Sequence, residues 1–338
     1  MSCFILKKSG QTIFLKNKPK IIASAAIVGA KEGQGPIGNC FDRVLDDVLW
    51  GEESWEKAES KFLTETAKTA IEKAGLTPNK IDFMFGGDLL NQCISTNYAA
   101  RTLNIPFFGL YGACSTMSLS MLLSAITVSS GAAKTCAAIT SSHFCSAEKQ
   151  FRFPLEYGGQ RTPTAQWTVT GSGCAIISSE GEGPEIKELT AGKVTDLGVT
   201  DLNNMGAAMA PAAADTLCAH FMDTKKTPDD YELILTGDLG QVGSELLIEL
   251  MKENGFDISR NHNDCGNLIF DSESQDTHAG GSGCGCSASV FCGYIAPLLA
   301  KKRIKNVLFM ATGALMSPTS VQQGESIPGI AHAVSIDA

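Results

Sequence analysis

The sequence predicts an α/β fold in which two copies of one unit pack around a shared core. The chain has 338 residues, and its segment 77–89 recurs without a gap at 227–239, with five identical positions and apolar residues at matching strand positions. Two shorter segments, Gly112–Ser115 and Gly285–Ala288, are also alike, and each opens a stretch without charged residues. A repeat whose period is half the protein indicates a duplicated unit rather than a solenoid.

In the first half, strand and helix patterns alternate along the chain. Apolar residues from Trp55 to Ala74 recur at helical spacing and end at Gly75, which is typical of an amphipathic helix. The predicted elements of this half are strands at 21–28, 81–85, 135–140 and 167–178, helices at 55–74 and 115–130, and a polar segment with little strand character at 141–164.

The second half has the same alternation. Its predicted elements are helices at 204–222 and 287–300 and strands at 232–235 and 306–311. Alternation throughout the chain favours parallel α/β layers. No low-complexity linker separates the halves, so we expect domains at 1–180 and 181–338 that pack as one body about a pseudo-twofold axis.

Composition and charge narrow the functional classes. With 43% hydrophobic and 19% charged residues, the chain is typical of soluble globular proteins. Its net charge of −9 argues against nucleic acid and anionic membrane surfaces as direct partners. Twelve scattered cysteines fit a reducing compartment, and residues 1–20 contain five lysines and only short apolar runs. We therefore expect no secretory signal and a cytoplasmic location.

Two long stretches, 102–133 and 279–300, lack charged residues as membrane spans do. Both are interrupted by glycines, and the first also by Pro106 and many hydroxyl residues, whereas a spanning helix needs about 20 predominantly apolar residues in succession. Helices that are small and uncharged on every face belong in the middle of a large protein. We predict two buried central helices and no transmembrane segment.

Three features together resemble the thiolase and ketoacyl-synthase III superfamily. They are the duplicated α/β unit, the segment Gly112–Thr116 with a cysteine where a buried helix begins, and the segment Val169–Ile177. The resemblance implies a layered αβαβα fold and a homodimer. In that superfamily the cysteine at the helix mouth accepts the acyl group, which gives Cys114 the position of the nucleophile.

Longer motifs, spread over nearly the whole chain, resemble a thiolase-like family of sporulation proteins. These motifs lie at 87–92, 111–116, 156–160, 208–215 and 279–284. The resemblance implies a protein that binds dipicolinic acid (pyridine-2,6-dicarboxylate) and serves its uptake into the developing spore with membrane proteins of the same operon. It also implies a peripheral place at the spore inner membrane, held through those partners.

An acyl-transfer site also needs a histidine that moves protons and a second donor, commonly asparagine or histidine. In ketoacyl synthases the histidine follows the strand that here ends at Leu235, where the chain has Thr236-Gly237-Asp238. The resemblance places the asparagine at the second helix mouth, where the chain has Cys284-Gly285-Cys286. We therefore predict a binding protein rather than an enzyme, although a helix N-terminus should lower the pKa of Cys114. Two alternatives stay open: an acyl-transferring thiolase-like or ketoacyl-synthase-like enzyme that uses Cys114 with a relocated base, and a scaffold with a vestigial pocket.

The histidines are the candidates for a relocated base. His143 follows a predicted strand in the half that contains Cys114, so we expect it to face the same cavity. His278 precedes a glycine-rich turn and is a weaker candidate. Nothing near the other three suggests a site, and they are predicted on the surface or in loops: His220, His262 and His332.

Asp88 and Asp238 occupy the same position in the two copies of the repeat. Aspartate is a favoured helix N-cap, and the alternative is that the two acids flank the cavity, one from each half. No metal or cofactor is predicted, because the spacing of Cys284, Cys286 and Cys292 does not match a zinc site. Calcium accompanies dipicolinate in spores, but no local motif here supplies the six or more oxygen ligands that calcium takes.

A small dianion needs N–H donors, which helix N-termini and arginine supply. We expect the ligand to lie between the two helix mouths in contact with Cys114, with the glycines of 280–285 packed beside the Cys114 loop. The predicted ligand-binding residues are Cys114, His143, Asp88, Asp238, Arg152, Arg161, Gly283, Cys284 and Cys286.

Overall fold

The computed structural model describes residues 6–151 and 161–338. Its strands are β1 (Leu6–Ser9), β2 (Thr12–Leu15), β3 (Lys20–Gly29), β4 (Arg43–Leu45), β5 (Phe83–Gly87), β6 (Phe107–Gly109), β7 (Thr135–Ser142), β8 (Trp167–Thr168), β9 (Gly171–Ser178), β10 (Glu185–Thr190), β11 (Leu233–Thr236), β12 (His262–Asp264), β13 (Gly281–Ser282), β14 (Asn306–Ala314) and β15 (Gly329–Asp337).

The helices alternate with these strands along the chain. They are α1 (Ala30–Gly33), α2 (Trp55–Lys73), α3 (Ile94–Leu103), α4 (Thr116–Ser129), α5 (Phe144–Phe151), α6 (Met205–Thr224), α7 (Gly240–Glu253), α8 (Cys265–Ile269), α9 (Cys284–Val290), α10 (Ala296–Ala300) and α11 (Pro318–Gln322). A π-helical turn at Phe291–Ile295 joins α9 to α10. The predicted uncharged helix 287–300 is therefore one continuous helical segment that begins three residues earlier, at Cys284.

The strands form two five-stranded arrays with the same order. One runs β3-β9-β7-β5-β6 and the other β10-β15-β14-β11-β12. The strands of the repeated segment, β5 and β11, take equivalent places, since each lies between two parallel neighbours. The predicted duplication is confirmed. The prediction of wholly parallel layers is wrong, because β9 and β15 run antiparallel to the strands on both sides.

The two uncharged helices lie between the arrays. Helix α4 packs on β5 and β7 of one array and on β14 and β15 of the other. Its Met117 and Met121 are fully buried, and Phe291 in the second helical segment stacks on Phe309 of β14 with ring centroids 4.5 Å apart. A helix without charged residues is stable there because every face meets protein. Within the described residues, none of the helices combines the length and apolar character needed to cross a membrane.

Further helices cover the outer faces of the two arrays. Helix α2 packs on β3, β9 and α3, and α6 packs on β15, β14 and α7, which completes a layered αβαβα arrangement. The Ser54 hydroxyl accepts a hydrogen bond from the Lys57 N–H at 3.3 Å and caps α2. The Asn204 side chain caps α6 in the same way. The fold class predicted from the sequence is confirmed.

The amino-terminal hairpin joins the other half of the molecule. Strands β1 and β2 pair with each other, and β2 pairs antiparallel with β10. The side chain of Asp223 on α6 accepts hydrogen bonds from the Gln11 and Thr12 N–H groups at 2.7 and 3.0 Å. Residues 6–15 therefore complete the sheet of the second half.

Candidate functional site

A cavity of about 50 Å³ opens beside the loop that leads into α4. Its walls are mostly apolar, with Leu89, Ala147 and Phe151 from the first half and Met205, Ala314 and Met316 from the second. The polar side chains in the wall are those of Tyr111, Cys114, Glu148, Thr168 and Ser282. Both halves of the duplication thus contribute to one cavity, and Cys114 is the member of the predicted set that lines it.

The turn that carries Cys114 is tight and sits directly on β14. Ala113 adopts the left-handed conformation with φ +47°, and the Ser115 N–H and hydroxyl both donate to the Gly112 carbonyl, at 3.0 and 2.7 Å. A Cβ at Gly313 of β14 would lie 2.4 Å from that same carbonyl oxygen. Glycine is required at 313 because only a residue without a side chain lets the loop approach this closely.

The surroundings of the Cys114 thiol disfavour its ionisation, because they raise its pKa. It is 6% exposed, and burial raises its pKa well above the ordinary value, with the neighbouring Asp238 carboxylate raising it further. The prediction that the helix N-terminus would lower this pKa is wrong, because loss of water and a nearby negative charge outweigh the helix dipole. A thiol of high pKa is a weak nucleophile at neutral pH.

Asp238 lies behind Cys114 and belongs to the second helix mouth. Its carboxylate accepts hydrogen bonds from the Ser282 hydroxyl at 3.1 Å, the Gly283 N–H at 2.9 Å and the Thr312 hydroxyl at 3.0 Å. Burial raises its pKa to about 7. It does not cap the helix that follows it.

The cap of α7 comes from Asp264 instead. Its carboxylate accepts hydrogen bonds from the Leu239 and Gly240 N–H groups, both at 2.9 Å. The N-cap interpretation is therefore wrong for Asp238, which lies beside the cavity without lining it. Asp238 instead connects the end of β11 to the second helix mouth, since it accepts a hydrogen bond from the Gly283 N–H.

Asp88 has the capping role that was predicted. Its carboxylate accepts hydrogen bonds from the Thr96 N–H at 2.8 Å and the Thr96 hydroxyl at 2.6 Å in the first turn of α3, and from the Leu90 N–H at 2.9 Å. Burial raises its pKa, and its charge also helps to raise the pKa of buried Glu59 to about 8. Asp88 does not line the cavity, so the prediction that it contacts a ligand is corrected.

His143 faces away from the cavity. Its Nε2 lies 3.0 Å from the Val48 carbonyl oxygen, its Nδ1 accepts a hydrogen bond from the Cys145 N–H at 3.2 Å, and its ring packs edge-on against Phe62. Burial lowers its pKa, which keeps the ring neutral. Both ring nitrogens are occupied, so the prediction that His143 lines the pocket is wrong.

The other histidines do not supply a base either. His278 pairs with Asp276 at 3.2 Å and is not among the residues that line the cavity. The prediction that His220 and His332 are at the surface is wrong, because both are buried. In His220 the two nitrogens contact the hydroxyls of Thr190 and Tyr231 at 2.7 and 2.6 Å. In the part of the chain that the structure describes, no histidine lines the cavity.

The glycine-rich turn packs against β7 and, as predicted, against the Cys114 loop, because the Gly283 N–H contacts the Cys114 thiol and Cys284 packs with Cys114 in one apolar cluster. A Cβ at Gly283, where φ is +99°, would lie 2.6 Å from the Ser142 hydroxyl. The Cys284 thiol donates to the Ser141 carbonyl at 3.0 Å, and the Cys286 thiol contacts the Gly237 carbonyl at 3.6 Å. Gly283, Cys284 and Cys286 therefore lie behind the cavity, and their predicted contact with a ligand is corrected.

Of the two predicted arginines, Arg161 is described by the structure and does not line the cavity. Arg152 lies outside the described residues. The Arg161 guanidinium binds Asp276 and packs over the Trp167 ring, away from the cavity lining. None of the described lining residues is a lysine or an arginine, and Glu148 adds an acid group. Residues 6–151 and 161–338 also contain no cluster of three or more metal-ligating side chains.

Most of the cavity wall was not predicted from the sequence. Met205, Ala314 and Met316 come from segments without any motif, and Glu148 and Phe151 lie in a helix, α5, within a stretch predicted to be irregular. Tyr111 could have been predicted from the sequence, since it is the first residue of the motif at 111–116. Chemically, the site offers a thiol of raised pKa, hydroxyl groups, the Glu148 carboxyl and apolar walls.

Comparison with known proteins places the chain in a sporulation family. The family model of stage V sporulation protein AD matches residues 9–337. The stage V sporulation protein AD of Bacillus subtilis (strain 168) is 46% identical over 330 residues, which is 97% of each chain.

Solved structures resemble the chain in fold alone. The 3-oxoacyl-[acyl-carrier-protein] synthase III of Aquifex aeolicus VF5 superposes with a TM-score of 0.57 at 13% identity, over 95% of this chain and 100% of that one. A cerulenin-bound variant of Xanthomonas campestris OleA gives a TM-score of 0.62 at 13% identity, over 98% of this chain and 100% of that one. The thiolase-like architecture is thereby confirmed. On its matches in sequence, the chain belongs to the stage V sporulation protein AD family.

Proposed function

We propose that this member of a sporulation family binds dipicolinic acid in the cavity at Cys114 and serves its uptake into the developing spore. The observation that carries the proposal is a small, mostly apolar cavity beside a thiol of raised pKa in a chain of this family. Apolar walls suit the face of a pyridine ring, and the hydroxyls of Thr168 and Ser282 suit its carboxylates.

Calcium enters this proposal as a companion of the ligand. Glu148 brings an acid group to a described wall that has no lysine or arginine. Such a wall favours a ligand whose own charge is balanced by a cation. Dipicolinate supplies oxygen and nitrogen ligands itself, so the protein need not provide a full calcium site.

We propose that the chain does not catalyse acyl transfer. A cysteine nucleophile needs a base or a lowered pKa, and Cys114 has a raised pKa and no histidine among the described residues that line its cavity. The alternative, an enzyme with a relocated base, has one specific candidate in Asp238. A carboxyl with a pKa of about 7 is a poor base for a thiol whose pKa is far higher, so the binding function is favoured.

We further propose that the protein acts as a homodimer and is held at the spore inner membrane by membrane proteins. Strand β6 ends its array, with β5 as its partner in the described sheet. Phe108 of β6 is 49% exposed and stacks on Phe85 with ring centroids 5.0 Å apart. An exposed edge strand with aromatic side chains is suited to pairing with a second copy.

Calorimetric titration with dipicolinate, with and without calcium, tests the binding proposal. Cys114→Leu should fill the cavity and abolish binding there, whereas Cys114→Ala should weaken binding by roughly tenfold or less because the rest of the wall remains. Cys145→Ala, a half-buried cysteine outside the cavity wall, is the matched control. Thermal unfolding verifies that each variant is folded, and Cys114→Val replaces the leucine variant if that one is not. Binding that is unchanged in both bulky variants would place the site elsewhere.

A further inference from the structure

A second group of side chains suited to an anion lies outside the cavity, around Trp167. The Lys31 Nζ lies 4.2 Å and the Arg161 Cζ 4.9 Å from the centroid of the indole ring. The ring of Phe144 stacks on the same indole at 4.1 Å, nearly parallel. The aromatic pair holds the two cations in one place, as cation–π contacts do.

The two acids near this cluster, Glu32 and Asp276, offset its two cations only in part. Among the described residues, Arg161 has one carboxylate partner, that of Asp276 at 3.1 Å, and Asp276 is 81% exposed and also pairs with His278. The Glu32 carboxyl is buried and accepts a hydrogen bond from the Thr170 N–H, and burial raises its pKa to about 7. Burial and the charge of Arg161 both lower the pKa of Lys31. Two cations thus repel each other in a chain of net charge −9.

Arg161 also has an unused donor. Its Nη2 binds Asp276, but its Nη1 is buried and has no hydrogen-bond partner in the described structure. A buried charged donor without an acceptor costs free energy, so natural proteins rarely keep one without a use. An anion placed between Arg161 and Lys31 would supply the acceptor and relieve the repulsion at the same time.

The cluster is connected to the cavity through one short ladder. Strand β8 consists of Trp167 and Thr168, and it pairs with Gly281 and Ser282 of β13. Thr168 and Ser282 line the cavity, while Trp167 carries the cations. A ligand held at Trp167 is therefore one residue along the strand from the cavity wall.

We propose that Lys31, Arg161 and Trp167 form an outer binding site for a planar aromatic dicarboxylate, the class of ligand proposed for the cavity. The identity of the ligand rests on the proposed function, whereas the site itself rests on the two cations and the unused donor. Each cation takes one acid group. Because the described cavity wall has no cation, the outer site attracts the dianion and raises its local concentration beside the cavity.

Equilibrium dialysis with radiolabelled dipicolinate tests the outer site by stoichiometry. Wild-type protein should bind two molecules per chain, and Arg161→Gln and Lys31→Met should each bind one, with the lost site weakened at least about tenfold. Cys114→Leu should also bind one, and Cys114→Leu combined with Arg161→Gln should bind none. Arg303→Gln removes the same charge from an exposed position and should bind two.

The Cys114→Leu and Arg161→Gln variants distinguish a failure of the outer site from a failure of the cavity proposal. If Cys114→Leu keeps every site while Arg161→Gln loses one, the outer site stands and the cavity proposal fails. If Arg161→Gln and Lys31→Met bind as wild type does, the outer site is overturned. Benzene-1,3-dicarboxylate should displace dipicolinate from the outer site, and inorganic phosphate at the same concentration should not. Equal displacement by phosphate would overturn the assignment to dicarboxylates.

Discussion

The carboxylate of Asp238 neighbours the thiol of Cys114, so a residue from each copy of the duplication meets at the centre of the molecule. Burial and this negative neighbour together keep the thiol protonated. The superfamily resemblance suggests a nucleophile at this position, whereas the raised pKa of Cys114 disfavours the thiolate. Three of the predictions below follow from this pair and from the loop that carries Cys114.

Removal of the Asp238 charge should make Cys114 more reactive. At pH 8.5, Asp238→Asn should speed alkylation of Cys114 by iodoacetamide by roughly tenfold, because a lower thiol pKa gives more thiolate. Mass spectrometry of the peptide that contains Cys114 measures the rate. Asp276→Asn removes an exposed carboxylate and should leave the rate unchanged. An unaltered or slower rate in Asp238→Asn would contradict the electrostatic account.

The protein should not turn over thioester substrates. Proton transfer by a placed side chain is typically worth about 10² to 10⁴ in rate, and no described histidine of the cavity supplies it. Incubation with radiolabelled acetyl-CoA should leave no label on Cys114, and condensing assays should stay at background. Turnover that Cys114→Ser abolishes would show that the thiol does work as a nucleophile.

Gly313→Ala should displace the Cys114 loop, because Gly313 of β14 lies directly against that loop. The added Cβ would lie 2.4 Å from the Gly112 carbonyl oxygen, so the loop must move away from β14. We expect a loss of about 2–4 kcal/mol in the free energy of unfolding and weaker binding of dipicolinate. Gly109→Ala, whose Cβ would meet only the Phe107 ring at 3.3 Å, is the control. Normal stability and binding in the Gly313 variant would refute this close contact.

Stability should depend on pH through the buried carboxyl of Glu59. Burial raises its pKa to about 8, so the folded state holds a proton that the unfolded chain has released above its ordinary pKa of 4.5. Glu59 therefore costs progressively more stability as pH rises from about 4.5 to 8. In urea unfolding, the free energy of unfolding of Glu59→Gln relative to that of the wild type should rise by about 1–4 kcal/mol between pH 5 and pH 8.

The control for that experiment is Glu325→Gln, an exposed position. It reports the general effect of removing one negative charge from an acidic chain. The Glu59 variant loses an acceptor for the Ser141 or Ser146 hydroxyl at every pH, so the test is the slope against pH rather than the offset. A difference from wild type that does not change with pH would contradict a protonated Glu59.

A charge on the β6 edge should prevent pairing of two copies. Phe108→Lys places an ammonium group on the exposed aromatic edge, and light scattering should show a shift from dimer to monomer. Val194→Lys changes a 58% exposed residue elsewhere and should stay dimeric. Wild-type protein that is monomeric, or a Phe108 variant that remains dimeric, would contradict the proposed edge interface.

Uniformly buried elements were predicted correctly from the sequence, whereas the amphipathic helix α7 and the buried strand β15 were not predicted. Strands such as β7, which is buried along its whole length, and helix α4, which has no charge on any face, owe their pattern to burial alone. Strand β10, with the sequence Glu-Ile-Lys-Glu-Leu-Thr, was missed because charged side chains interrupt its apolar residues. Helix α3 was missed because its N-terminus depends on Asp88, six residues before the helix begins.

The site was harder to predict than the fold. Cys114 was found because its motif is local, whereas the rest of the wall forms only when segments about 200 residues apart meet, such as Ala113 and Ala314. The site residues were predicted from residue type, so they included His143. Its two ring nitrogens contact the Val48 carbonyl and the Cys145 N–H, away from the cavity. Which way a side chain points is a property of packing that spacing along the sequence does not encode.

The amino-terminal hairpin has a consequence for how the chain is made. Residues 6–15 are synthesised well before the strand that β2 joins, because β10 begins only at Glu185. At typical rates of about 5–20 residues per second, the hairpin leaves the ribosome on the order of ten seconds or more before its partner exists. If the protein were cut between the halves, the hairpin would stay on the first fragment while its partner strand β10 lies on the second. The two fragments could then reassemble only if the hairpin of the first pairs with the sheet of the second.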